Sequence, residues 1–355
     1  ADLLSKRNIG FNSDTNESDA MNSLKRLFSP EFRNRLDDVV QFDYLDEKII
    51  HSIVDKFLIK LQVTTAVLWG VLPLFLKICL QAMDASTITS LRFLVAALFV
   101  FGVLLLRRKL PHKTQFQGKT LGWVIFACVM LVLNYVTNVI GLEYLNPETV
   151  QVIMQLAPFL LMFGGVIILK ESFTRQQQLG ALCLVLGMVL FFHQRWQSLS
   201  VSTTESPIGM LIIMFAATAW AIYALAQKPL LKTFSAQQLT LFMYAGGFII
   251  LIPLTDFGAV WQLNSLQFWA LAFCCANTII AYGAFTEAMH VWSAGKVSAV
   301  IATAPIFTYI SMGFAEVWMP EVFVLTPLDE VAYIGAIMVI TGSIYTSLSK
   351  RPVQK

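Results

Sequence analysis

Apolar residues fall along this chain in long unbroken stretches, separated by short polar intervals. Runs of about 20 mostly apolar residues suffice to carry a helix across a bilayer. Ten such runs are predicted, at 62–80, 87–106, 121–142, 149–169, 177–193, 207–227, 238–255, 266–288, 296–316 and 331–349. The strands of a membrane barrel alternate between lipid and lumen over about ten residues, and these continuous runs do not. The expectation is therefore an all-α membrane protein with ten transmembrane helices. No signal peptide is expected, because the first apolar run of adequate length begins only near Leu61.

Charge divides the chain. It is 57% hydrophobic and 13% charged, against about 25% charged in an ordinary soluble domain. Residues 1–62 nevertheless hold nine of the 25 Lys and Arg and 11 of the 22 Asp and Glu. Residues 1–61 are thus expected to be a soluble segment ahead of the membrane part. Basic residues between spans set the orientation. Thirteen lie on one side, in the 107–119 loop, after spans four and six, at Lys296 and in the C-terminal tail, whereas the opposite side has Arg195 alone with several carboxylates. Both termini are expected to be cytoplasmic. A net charge of +3 is too small to suggest a nucleic-acid partner. The five cysteines lie in apolar runs without metal-ligand spacing, and read as packing residues.

The membrane part repeats itself. Trp69 precedes Lys77 by eight residues, as Trp220 precedes Lys228. Ala157-Pro158 in span four matches Ala304-Pro305 in span nine, and Tyr135 and Tyr282 share the same offset of 147. Spans five and ten each carry glycines seven apart, Gly180/Gly187 and Gly335/Gly342. Seven residues is nearly two turns, so each pair marks one small-residue face. Two halves, 62–200 and 201–355, hold five spans each. An odd number inserts them with opposite orientation, giving two inverted five-helix repeats, a common plan for secondary transporters.

Several fragments resemble the EamA-type members of the drug/metabolite transporter superfamily. They are the Ala-Val-Leu-Trp69-Gly70 opening with Lys77 after it, Thr87-Ile-Thr-Ser-Leu-Arg92-Phe in span two, and Asn134-Tyr135 in span three. The longest runs from Ala157-Pro158 through Lys170-Glu171 to Gly180, echoed by Trp220, Ala304-Pro305 and Glu316. The resemblance implies export or exchange of amino acids and other small metabolites, without a bound cofactor. It also places the chain in a bacterial inner membrane. The stretch Met319–Glu330 is longer than its first-half counterpart. Further upstream, Phe28-Ser-Pro30-Glu31-Phe32-Arg33-Asn34-Arg35-Leu-Asp37 resembles the second ATPase module of ClpA-like AAA+ unfoldases. In that family the arginine matching Arg35 acts on a neighbour's nucleotide. No Gly-x-x-x-x-Gly-Lys-Ser/Thr phosphate loop accompanies it here, so a fused or relic fragment is expected and not an ATPase.

Candidate solute contacts are uncharged. Asn134 and Asn138 are four apart and share a face of span three; Gln151 and Gln155 do the same on span four. Trp69, Trp220, Tyr223 and Tyr282 are candidates to line an amphipathic pocket with them. Ionisable groups in a span are costly and mark a pathway or gate, or an interfacial anchor, which makes Lys77, Arg92 and Glu287 the charged candidates. Pro158 and Pro305 remove backbone donors and are candidate hinges. These features predict a non-enzymatic carrier for small organic solutes, amino acids among them, working by alternating access in a lipid bilayer, with a homodimer as an allowed assembly and neither cofactor nor metal. Rival readings are an exchanger of sugar phosphates or nucleotide sugars on the same fold, which needs clustered basic groups, and an interaction protein docking through its N-terminus to a Clp-type unfoldase. A membrane transferase would need a catalytic His–Asp cluster, and none is visible. The orientation is testable. Reporter fusions after Lys355 and within Arg107–Lys119 are expected to read cytoplasmic, and a periplasmic signal at either place overturns the ten-span topology.

Overall fold

The structure is a computed structural model that describes residues 47–116, 118–193, 207–323 and 328–349. The unfoldase-like motif and Arg195 lie outside them. The chain divides into two units, Ala1–Ile53 and Val54–Lys355, and the second contains the membrane helices.

The helices are α1 (Glu47–Cys79), α2 (Ala85–Leu106), α3 (Thr120–Tyr144), α4 (Pro147–Met154), α5 (Leu156–Ile167), α6 (Arg175–Phe191), α7 (Pro207–Leu230), α8 (Ala236–Leu251), α9 (Ser265–Val291), α10 (Ala294–Ile301), α11 (Ala304–Trp318) and α12 (Glu330–Ser347). Among the described residues nine segments are long and apolar enough to cross a membrane, and α6, a shorter apolar helix of 17 residues, makes ten. The pairs α4–α5 and α10–α11 each make a single crossing, Pro147–Ile167 and Ala294–Trp318. The first span is longer than the pattern suggests. Its apolar stretch starts at Ile53, well before residue 62. Gln62, the expected first residue of the span, is buried inside α1, and its Nε2 donates to the Ala284 carbonyl at 3.1 Å.

Helix starts are locally encoded. Asp84 Oδ1 accepts from Ser86 and Thr87 N–H ahead of α2. Capping boxes open α6, α8 and α9, at Thr174/Gln177, Ser235/Gln238 and Asn264/Gln267. Each uses Gln in place of Glu, satisfying the N-terminal donors without adding a charge.

The interruptions in spans four and nine fall at the matched prolines. Pro158 has no N–H to return to the Met154 carbonyl, and α4 ends at Met154. Pro305 has none for Ile301, where α10 ends. Both prolines sit within the first turn of the following helix, where the missing donor is tolerated.

Between helices, lipid supplies no hydrophobic driving force, so close packing and hydrogen bonds hold the bundle. Spans five and ten meet through the glycine faces. A Cβ added at Gly187 would lie 2.9 Å from the Gly335 carbonyl oxygen, and one at Gly342 would lie 2.7 Å from that of Gly180. The backbones touch where only hydrogen fits. Gly187→Val is expected to lower the unfolding temperature in detergent, by the ~1–3 kcal/mol typical of overpacking. Gly102→Ala, where a Cβ meets nothing within 4 Å, is expected to be neutral or slightly stabilising. Equal behaviour of the two variants would exclude the glycine seam.

Candidate solute-binding site

The two helix breaks face a shared cavity enclosing about 720 Å³ of empty space, its mouth included. Met154, Ala157 and Pro158 from the first break line it, and so do Ile301 and Ala304 from the second.

Aromatic residues form one wall. Trp69 meets Trp220 edge-on with ring centroids 5.7 Å apart, and Tyr282 at 4.9 Å. Tyr135 meets Tyr282 at 5.0 Å. Trp69 and Trp220 are repeat mates, as are Tyr135 and Tyr282. Equivalent residues can touch their own mates only near the axis that relates the halves, so the cavity lies on that axis.

Polar side chains fill the other wall, and several are committed to the backbone. Asn134 Nδ2 donates to the Ala216 carbonyl at 2.9 Å, tying α3 to α7. Gln151 Nε2 donates to the Trp69 carbonyl at 3.1 Å. That carbonyl lacks its helical donor because Pro73 stands four residues on, inside α1. Neighbouring carbonyls of α1 receive similar bonds, Leu68 from Asn277 Nδ2 and Gly70 from Thr308 Oγ1. Gln155 Nε2 reaches the Gln151 carbonyl at 3.4 Å. Among the described residues, Gln155 Oε1 and the Trp69 indole N–H have no hydrogen-bond partner. Asn138 lines the cavity, and no described residue bonds its amide.

Arg92, on α2, is 2% exposed and also lines the cavity. Its Nε donates to Thr278 Oγ1 at 3.0 Å, and its guanidinium carbon stands 4.5 Å from the Tyr135 ring centroid.

Other sequence candidates lie elsewhere. Tyr223 does not line the cavity; it is 1% exposed and its hydroxyl donates to Gln227 Oε1 within α7. Pro305 starts α11 beside the lining residue Ala304. Glu287 faces a separate groove of about 490 Å³ with Phe99, Val103, Gln237 and Thr240. Lys77 Nζ donates to the Leu142 carbonyl at the end of α3. Its repeat mate Lys228 makes the matching bond to the Met289 carbonyl at the end of α9, and another to Trp292. Lys228 also pairs with Glu171 Oε1 at 3.2 Å, while Glu171 Oε2 accepts from the Ala294 N–H at 2.8 Å. Each lysine therefore braces one end of the bundle, outside the cavity. Pro73, Met154 and Tyr135 were missed as lining residues. Tyr135 had a signal, being the repeat mate of Tyr282 and the neighbour of Asn134.

Residues 57–193 and 207–348 each match the EamA-like transporter family. The chain belongs to the EamA-like transporter family. The family model thus matches the chain twice. Relatives span nearly the same extent. An inner membrane transporter of Escherichia coli named YhbE is 35% identical over 296 residues, covering 82% of this chain and 92% of that protein. A transporter of Haemophilus influenzae is 33% identical over 288 residues, covering 81% and 93%. A solved crystal structure is alike in fold with a TM-score of 0.59 at 17% identity, covering 82% of this chain and 96% of that one. Separately, 59 residues, 17% of the chain, are 39% identical to a ClpA homologue of Fuscovulum blasticum, of which they cover 7%. This protein is therefore a multi-pass membrane transporter of EamA type.

The Lys228–Glu171 brace is open to a thermodynamic cycle. Lys228→Met and Glu171→Gln are each expected to lower the unfolding temperature in detergent. Their combination is expected to cost less than the sum, with a coupling of about 0.5–3 kcal/mol. Strict additivity would mean that the pair contributes nothing.

Proposed function

We propose that this EamA-type protein exports or exchanges small organic metabolites, amino acids among them, by alternating access across a bacterial inner membrane with both termini cytoplasmic. The observation that carries the reading is the meeting of Trp69 with Trp220 and of Tyr135 with Tyr282 at a cavity bounded by both helix breaks. A site on the axis between inverted halves is available to either half in turn, so rocking one half on the other moves access from one face to the other. Pro158 and Pro305 supply the flexible joints, and the two lysine braces, at opposite ends of antiparallel first and sixth spans, are the contacts that break and re-form.

Asn138, the Trp69 indole N–H and Gln155 Oε1 are among the uncommitted polar groups that would hold a solute. Asn134 and Gln151 contribute walls, and each spends one donor on a backbone carbonyl. A sugar-phosphate exchanger is disfavoured, because a doubly charged phosphate calls for several cations and Arg92 alone among the lining residues is a permanent one.

Transport in proteoliposomes, with the solute found by an efflux screen of cells overproducing the full chain, tests the proposal. Asn138→Ala and Trp69→Phe are expected to cut transport per folded molecule by about 1–3 kcal/mol of lost hydrogen bonding, roughly five- to 150-fold, with unfolding temperature little changed. Asn134→Ala is expected to lower stability as well, since it removes the α3–α7 bond. Unaltered transport in both Asn138→Ala and Trp69→Phe would end the proposal for this cavity.

A further inference from the structure

Among the described residues, Arg92 is the one permanently charged side chain that lines the cavity. It is 2% exposed, at mid-bundle, and its guanidinium has two partners, the Thr278 hydroxyl and the face of Tyr135. Both partners are neutral. Among the described residues no carboxylate pairs with it. A buried cation without a counter-charge is costly, and removing it from water is offset only by close opposite charge and good hydrogen bonds. The Nη groups carry no hydrogen bond among the described residues, and the side chain lines the cavity. A planar fork of donors so placed matches a carboxylate.

The repeat supplies an independent argument. Asp84 caps α2 and Ser235 caps α8, 151 residues apart, the same interval that separates Trp69 from Trp220. Phe93 and Tyr244 follow at that interval and lie against each other with centroids 6.1 Å apart. The mate of Arg92 is thus Met243, a buried apolar residue. The position packs well with methionine in one half, so the fold itself does not require a cation there. The charge breaks the symmetry of an otherwise paired site.

Resting on the carrier reading above, we infer that Arg92 is the anion subsite of this cavity and that the transported solute presents a carboxylate to it. The remaining wall of Trp69, Trp220, Tyr282 and Met154 fits an apolar or aromatic body. One permanent cation in the lining matches one negative charge, which selects a monocarboxylate over a phosphate ester. An amino acid and a plain monocarboxylate share this chemistry. They differ in the ammonium group, for which Gln155 Oε1 is the unpartnered acceptor.

Quenching of tryptophan fluorescence in the purified full chain tests this with four probes: phenylalanine, phenylalanine amide, phenylpropionate and phenyl phosphate. One or both carboxylates are expected to bind at least ~10-fold more tightly than the amide and the phosphate, as charge-assisted hydrogen bonds require. That comparison needs no variant. Arg92→Gln is expected to abolish the preference for acid over amide, and Arg92→Lys to keep part of it. Tighter phenylalanine than phenylpropionate assigns an amino acid, and the reverse assigns a plain acid. Equal binding of acid and amide overturns the anion subsite while leaving the carrier reading standing, as does an acid preference that survives Arg92→Gln. Binding of no probe also overturns this assignment, and proteoliposome transport then decides the carrier reading by itself.

Discussion

Inside a bilayer a peptide group has no water to bond. Every N–H and C=O at that depth must be satisfied by the protein. Regular helix does this within each span, which is why the described crossing segments are helix over nearly all their length. The same constraint governs the places where helix fails. Pro73, Pro158 and Pro305 each deprive a carbonyl of its donor, and each lies beside the central cavity. At Pro73 the orphaned Trp69 carbonyl is claimed by Gln151 from another span. Irregular backbone is tolerable there because it faces protein and cavity, not lipid. The cavity and the helix breaks coincide because only the interior can hold such breaks.

Polar side chains serve the bundle in the same way. Asn134, Gln62, Asn277 and Thr308 each donate to a carbonyl of a neighbouring span. Such bonds are modest individually, averaging about 0.6 kcal/mol in membrane bundles, but they fix which helix faces meet. The glycine seam between spans five and ten does the rest by letting backbones touch. Charges obey a stricter rule. Lys77 and Lys228 sit near span ends and reach carbonyl oxygens, with Glu171 answering Lys228. Arg92 sits in the middle with a hydroxyl and a ring. Both lysines are thereby answered by the fold at span ends, whereas Arg92 has only neutral partners among the described residues.

Much of this was legible in the chain alone. Ten apolar runs, a matched pair of Ala-Pro steps and recurrent Trp-Lys spacing state ten spans and two halves, because a helix in lipid must be apolar over a fixed length and a duplicated unit keeps its landmarks. The glycine faces were legible as faces. The cavity's neighbourhood was also foreshadowed. Trp69, Asn134, Asn138, Gln151, Gln155, Trp220 and Tyr282, with Arg92 and Pro158, all line one space. Tyr223 was the exception. It occupies the same helix as Trp220 but turns its hydroxyl to Gln227 one turn on. Nothing in composition distinguishes a tyrosine that bonds along its own helix from one that faces a void. Glu287, a candidate for a pathway, a gate or an interfacial anchor, lies on a separate groove.

By itself, then, the sequence determined what a helix needs locally: where it crosses, where it is capped, where a proline interrupts it, and that the plan is used twice. Those properties depend on neighbours within a few turns or on a repeated motif. Only the tertiary structure decided which polar groups are already spent. Gln151 and Pro73 are 78 residues apart, and Arg92 and Thr278 are 186 apart. Whether an amide or a guanidinium is committed to the fold or open to a solute depends on a partner from a distant span. Such partners are set by how ten helices pack, and no interval along the chain records that.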